Sequence, residues 1–318
     1  MFKPIGIGTG SRIVQTPEEE QPSQQSSPTQ VLPVDTPSLK QFKSGTSLAA
    51  EYQMSNFALK SQLQNQLVQN DSLQIKKLAT PRLVDKNEAS TGAYAPRWLY
   101  TGDGDDQVDI KMGSDGRVHV NVNGKEEWSG TPSQFQSLTI YTGAGNDTVK
   151  NEVDGATIFT ASGQDVVWNK GSNVHIDTGT ENDRVGSAGS NNVISTGRGE
   201  DIVQSVGNNN SISSGAHKDS VAVKGESNLV MSGSGDDTVD LYGGYNKVYT
   251  EDGNDQVDIR YGDTMPESPT PNYVDTGAGN DKVENRTDGS TIFTGSGNDT
   301  IMNSGRDVTI DLGTDEEE

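Results

Sequence analysis

From residue 98 onward, apolar side chains never gather into a long run. They recur in short alternations set in a polar, glycine-rich background. One alternation follows an aspartate by two residues, as Val149 follows Asp147, Val283 follows Asp281 and Ile301 follows Asp299. The other follows an asparagine by two, giving Ile194 after Asn192, Ile212 after Asn210, Val230 after Asn228 and Val248 after Asn246. Those four asparagines are 18 residues apart. The pattern predicts two short strands and two turns per unit, each strand turning only two or three residues inward, such as Val149 with Ile158 and Thr160.

The aspartates fix the period. Asp106, Asp147, Asp165, Asp183, Asp201, Asp219, Asp237, Asp255, Asp281 and Asp299 are separated by 18 residues at seven of nine steps. The step of 41 after Asp106 is one period plus an insertion of 23, and the step of 26 before Asp281 is one period plus 8. A fixed short period is the signature of a solenoid. We therefore expect an all-β, right-handed parallel β-roll or β-helix solenoid with 18-residue turns over residues 96–318. About ten turns at about 4.8 Å each give a rod roughly 48 Å long. The first insertion, near 111–133, alternates Val118, Val120 and Val122 before Asn123-Gly124 and predicts a hairpin over the open N-terminal end. The second, near 261–272, carries Pro266, Pro269 and Pro271 and reads as a surface loop.

The N-terminal part has a different grammar. Residues 1–44 hold six of the twelve prolines among Gln, Ser and Thr, a composition expected to stay disordered. Residues 45–95 read as an amphipathic helix and linker. Leu48, Tyr52, Leu59, Leu63 and Leu67 repeat at steps of four or seven until Pro81. Such a helix would pack on its neighbour or bind a partner.

Composition sharpens this picture. Hydrophobic residues make up 30% and glycine contributes 37 residues, which suits a thin core rather than a doubly wound sheet. The net charge of -22 is unevenly placed: residues 1–95 hold nine basic and eight acidic residues, so the acidity belongs to the repeats. That part attracts cations and repels nucleic acid and anionic membrane. No apolar stretch approaches a membrane span. The first residues lack the apolar run of a cleaved secretory signal. The absence of cysteine excludes disulfides and thiolate metal sites.

The loops themselves call for a cation. Aspartates stacked one turn apart, about 4.8 Å, repel by about 0.9 kcal/mol per neighbouring pair in water and by more in a groove of low dielectric. A hard divalent ion relieves this. Calcium accepts six to eight oxygens from carboxylates and carbonyls, whereas magnesium demands stricter geometry. Glycines let the turn take positive φ and aim its carbonyls at the ion. Full Gly-x-Gly-x-Asp units occur at Gly102, Gly104 and Asp106; Gly143, Gly145 and Asp147; Gly197, Gly199 and Asp201; Gly233, Gly235 and Asp237; Gly277, Gly279 and Asp281; and Gly295, Gly297 and Asp299. Gly253 with Asp255, and Asp165, complete the expected metal row.

These units resemble the glycine-rich repeats of RTX (haemolysin-type) proteins over roughly residues 98–315. The resemblance implies a parallel β-roll with calcium held between a loop and the loop one turn later, and an exported protein. Three departures stand out. Thr or Ser usually replaces the first glycine, as at Thr142, Ser232 and Thr276; only one half of each turn carries the motif; and Ala161, Glu181 and His217 replace glycines in the middle loops. One row of sites is therefore expected, weakest near Asp183 and Asp219.

The leader is similar to those of type III secreted effectors and harpins, which implies a secretion chaperone at the N-terminal region, a secreted or host-delivered location, and a host protein or glycan as partner. The type I export segment that RTX proteins carry after the repeats is not apparent in the 19 residues following Asp299. A metal-free structural solenoid acting as adhesin or surface binder is the main alternative. The three histidines, His119, His175 and His217, form no hydrolase or metalloprotease motif, and basic groove residues for a β-helix glycan-cleaving enzyme are sparse, so no enzyme is expected. The column Thr142, Thr160, Thr178 and Thr196 is similar to that of some calcium-dependent solenoid antifreezes. The neighbouring outward positions, Ala144, Ser162, Thr180 and Arg198, lack the regularity of an ice-binding face.

Overall fold

A computed structural model describes residues 82–85, 97–263 and 266–313. The leader, nearly all of the amphipathic segment, and the chaperone-binding role expected of them lie outside the described residues. The repeats form a parallel β-solenoid of about ten turns. Each turn contributes one short strand to each of two twelve-stranded sheets. The register is that of the sequence period: Ile176 pairs with Ile158 on one side and Ile194 on the other, and Val221 with Val203 and Val239.

Strand alternation places one or two aliphatic residues of most repeat strands inward. Ile140, Ile158, Ile176, Ile194, Ile212, Val230, Val248, Val274 and Ile292 stack along the first sheet. Val149, Val167, Val185, Val203, Val221, Val239, Val257 and Val283 face them from the second. A core two side chains thick buries enough apolar surface only because it is continuous along the rod, which explains how 30% hydrophobic residues suffice.

Antiparallel strands flank both sheets at the N-terminal end. β1 (Arg82–Asp85) pairs with β2 (Arg97–Tyr100), the first parallel strand of one sheet. On the other, β3 (Gln107–Met112) is followed outward by β4 (Val118–Val122) and β5 (Lys125–Gly130). The hairpin buries Val118, Val120, Val122 and Trp128. Pairing β3 with β4 shields the edge that would otherwise template another strand. A one-turn helix not anticipated from the sequence, α1 (Pro132–Phe135), follows. Thr131 caps it in a reciprocal capping box with Gln134, Pro132 occupies its start, and it inserts Phe135 beside Trp128 at 5.9 Å.

Candidate functional site

Each turn has two corners, and they solve the same problem in different ways. At one corner lie Asn192, Asn210, Asn228, Asn246 and Asn272, all buried. The main-chain N–H of each of the first four donates to the side-chain oxygen of the next, at 2.8–3.0 Å. The amide nitrogen finds its own acceptor: Asn192 Nδ2 donates to the Gly171 carbonyl and Ser187 Oγ, Asn246 Nδ2 to Gly225 O, and Asn272 Nδ2 to Gly243 O. This ladder satisfies both ends of the side chain.

At the other corner the aspartates build the same ladder. The N–H of Asp147 donates to Asp165 Oδ1 at 2.8 Å, and the pattern repeats without interruption to Asp281 and Asp299. A carboxylate has no proton to donate, so its second oxygen cannot copy the asparagine. Oδ2 of Asp147, Asp165, Asp183, Asp201, Asp219, Asp237, Asp255, Asp281 and Asp299 is buried without a hydrogen-bond partner. A Thr or Ser hydroxyl stands beside each of the first eight carboxyls and holds its pKa down somewhat. Thr142, Thr160 and Thr178 also lie 3.3–3.4 Å from the carbonyl one turn on, so each has a single proton for two acceptors. The same geometry removes Thr142, Thr160, Thr178 and Thr196 from any ice-facing surface, because all four are fully buried.

Burial dominates the electrostatics. It pushes Asp147 up to about 6, Asp219 and Asp255 to about 7 and Asp183 to about 8, with neighbouring carboxylates adding to each rise. Asp165, Asp201, Asp237 and Asp281 are also raised, chiefly by burial.

Asp106 departs from the expected row. Its Oδ2 accepts from Thr101 Oγ1 at 2.5 Å and its Oδ1 from Asn123 Nδ2 at 2.6 Å. The tip of the hairpin thus supplies by hydrogen bond what the other aspartates lack, so Gly102 and Gly104 head a loop whose carboxylate is already partnered. The contact joins residues 17 apart through a β-turn, and the sequence period holds no signal for it.

The glycines are required by close approach as well as by φ. A Cβ on Gly145 would meet Gly104 O at 2.5 Å, one on Gly199 would meet Glu181 O at 2.0 Å, and one on Gly279 or Gly297 would lie within 1.9 Å of the previous turn's carbonyl. Gly143, Gly197, Gly233, Gly277 and Gly295 abut the preceding turn in the same way, as do Gly235 and Gly253. In the second glycine column φ runs from 126° to 159°, but Glu181 and His217 take 75° and 82°. These two loops therefore depart in φ from the intact ones. Glu181 also folds its carboxylate back onto the Gly163 N–H at 2.8 Å. Replacing His217 by glycine removes a non-glycine residue from the left-handed region and is expected to stabilise the fold by about 1 kcal/mol, read as a higher urea midpoint.

Among the described residues, no three His, Cys, Asp or Glu side chains gather as a metal-binding cluster. Carboxylates reach each gap between turns only from the loop on either side, so a cation there would need main-chain carbonyls for most of its shell. A hard, oxygen-seeking ion of high coordination number fits that donor set. His119 is engaged elsewhere, between Asp115 and Glu126 on the hairpin, and His217 is exposed.

Comparison with known proteins finds four copies of the RTX calcium-binding nonapeptide repeat, matched at residues 139–150, 225–258 and 287–305. These stretches contain Asp147, Asp237, Asp255 and Asp299. A hyperactive, Ca2+-dependent, β-helical antifreeze protein from an Antarctic bacterium is similar in structure, with a TM-score of 0.48 and 20% identity. The match covers 73% of this chain and 66% of that one. No curated protein matches the chain.

Proposed function

We propose that this chain is an exported, calcium-dependent interaction protein whose solenoid consolidates when it meets calcium. Calcium is the cation that its repeat type takes. The observation carrying the proposal is the contrast between the two corners: the asparagine ladder is complete in itself, whereas the aspartate ladder leaves nine buried carboxylate oxygens unsatisfied. A buried polar group without a partner costs about 1–3 kcal/mol, more when charged. A row of them is tolerable when something positive lies alongside.

The residues that would hold the ions are Asp147, Asp165, Asp201, Asp237, Asp255, Asp281 and Asp299. They act with carbonyls from the glycine loops, including Gly143 and Gly145, Gly197 and Gly199, Gly233 and Gly235, Gly253, Gly277 and Gly279, and Gly295 and Gly297. When bound, calcium supplies charge neutralisation and cross-linking between successive turns. The protein's own contribution is positional: each Asp Oδ1 is pinned by the N–H one turn back, which aims Oδ2 consistently along the row. Asp183 and Asp219 complete the column beside the two loops whose glycine is missing, and they are the weakest members.

An exported protein built this way stays loosely folded where calcium is scarce and closes where it is plentiful. This reading is tested by refolding the full chain from urea, followed by circular dichroism. In chelator, β-signal recovery should be slow and incomplete, and calcium should restore it. Equal recovery in both buffers removes the link between calcium and export. Effector and host-contact roles belong to the same proposal and are supported only by the resemblance of the leader.

A further inference from the structure

The insertion that interrupts the period builds something at the opposite corner from the aspartate row. Where it rises, a cleft of about 420 Å³ opens, lined among others by Asn208, Lys224, Glu226, Tyr242 and Tyr261. These residues come from successive turns and are fixed independently of any ligand. The Tyr242 hydroxyl accepts from Arg260, whose guanidinium lies 5.2 Å from the centre of its ring. The Tyr261 hydroxyl takes the Asp288 N–H at 2.9 Å. Lys224 Nζ holds Asp263 of the insertion at 2.7 Å. Thr270 leaves no room for a side chain at Gly244, and the Tyr245 N–H donates to Pro271 O at 3.0 Å.

The unspent hydrogen-bonding capacity defines the ligand. Asn208 Oδ1 is taken by the Glu226 N–H at 2.8 Å, and among the described residues Asn208 Nδ2 has no acceptor. The Glu226 carboxylate is exposed and has no side-chain partner among them. The Tyr242 hydroxyl keeps a proton to donate. Two donors and an acceptor thus line a cleft that two tyrosines also line. That pattern matches a compound presenting several adjacent hydroxyls, each both donor and acceptor, on a ring with apolar C–H faces. The cleft lies in the size range of small-ligand sites. Lys224 is neutralised by Asp263, leaving Glu226 as the excess charge, and the protein carries -22 overall, so an anionic ligand is disfavoured.

We infer that the cleft beneath the 261–272 insertion is a binding site for a neutral saccharide. The site gives the interaction protein proposed above a ligand class. It shares no residue with the aspartate row, so calcium binding and sugar binding can fail separately.

The test uses the full chain in saturating calcium and saturation-transfer NMR with glucose, galactose and N-acetylglucosamine, with galacturonate as the anionic comparison. At least one neutral sugar should show transfer and galacturonate none. Asn208→Ala removes one hydrogen bond and should weaken the responding sugar about tenfold. Tyr242→Phe, which keeps the ring, should also weaken it. Arg198→Ala, at the calcium corner, should leave sugar binding unchanged. The inference is overturned if no neutral sugar binds, if galacturonate binds as well, or if Asn208→Ala and Tyr242→Phe both bind like the parent.

Discussion

In chelator, the melting temperature should fall as pH rises from about 4 to about 8, and saturating calcium should reverse that slope. The sign follows from the aspartate row. The folded-state values of about 6, 7, 7 and 8 for Asp147, Asp219, Asp255 and Asp183 stand above an ordinary 3.8. Between those limits the folded chain keeps protons that the unfolded chain has released, so raising the pH favours unfolding. The contribution is fully present below about pH 3.8 and is lost through about pH 8. Asp177, raised to about 6 by burial, acts in the same direction. His175 opposes it: burial keeps it neutral to about 4, so acid below its ordinary 6.5 destabilises the fold, but it is one group against five. Ion pairs such as Asp288 with Arg306 and Glu152 with Lys170 lower their acid partners and weaken only at the acidic end. Calcium keeps the row ionised, so protons then compete with the ion and stability rises with pH. Each filled site adds about 2.7 kcal/mol at a hundredfold excess over its dissociation constant. At about 2–4 °C per kcal/mol, several sites move the midpoint by more than about 20 °C at pH 8. Differential scanning calorimetry over pH, with and without calcium, checks both slopes.

Asp281→Asn should have opposite effects in the two buffers. Asp281 lies between two neighbours of the ladder, Asp255 and Asp299, and its loop and the following one keep both glycines. In calcium the substitution weakens the gaps on both sides, with an expected loss of up to about 5 kcal/mol at a hundredfold excess. In chelator the asparagine imitates the other corner of the turn: it keeps the Oδ1 acceptor and replaces an unsatisfied oxygen with a donor that can reach the Thr276 hydroxyl. Removing a buried unsatisfied group should then stabilise by about 1–3 kcal/mol. Asp183→Asn should show the same gain in chelator but a smaller loss in calcium, because Glu181 turns its loop away from the glycine conformation. Urea midpoints for the two variants in both buffers decide this. Identical behaviour in calcium would mean that the aspartates only shape turns.

Much of this architecture is legible in the sequence because a solenoid writes its geometry as a period. The step of 18 from Asp147 to Asp165 is the same step that pairs Val149 with Val167 and Ile140 with Ile158. What the period does not encode lies where the chain leaves it. Asn123 comes from an insertion, and its partnership with Asp106 exists only because the hairpin folds back on the first turn. The cleft beside Tyr242 depends on where the second insertion lands, which its proline content does not specify. The threonine column was legible in place and, at Thr160, in direction: the strand alternation turns Thr160 inward with Ile158, and Thr142 and Thr160 are both buried. The aspartate row was legible as a cation row from its charge, but the contrast with the asparagine corner needed atoms: only the second side-chain atom, followed to its partner, shows one ladder complete and the other open.

The most direct measurement is anomalous diffraction from crystals of the solenoid grown in calcium. The expected result is a single file of calcium peaks along the aspartate corner, each beside Oδ2 atoms of successive turns between Asp147 and Asp299, with none along the asparagine corner and the weakest near Glu181 and His217. A calcium-grown crystal with no peaks at that corner, and with the Oδ2 atoms hydrogen-bonded to water or protein instead, would contradict it.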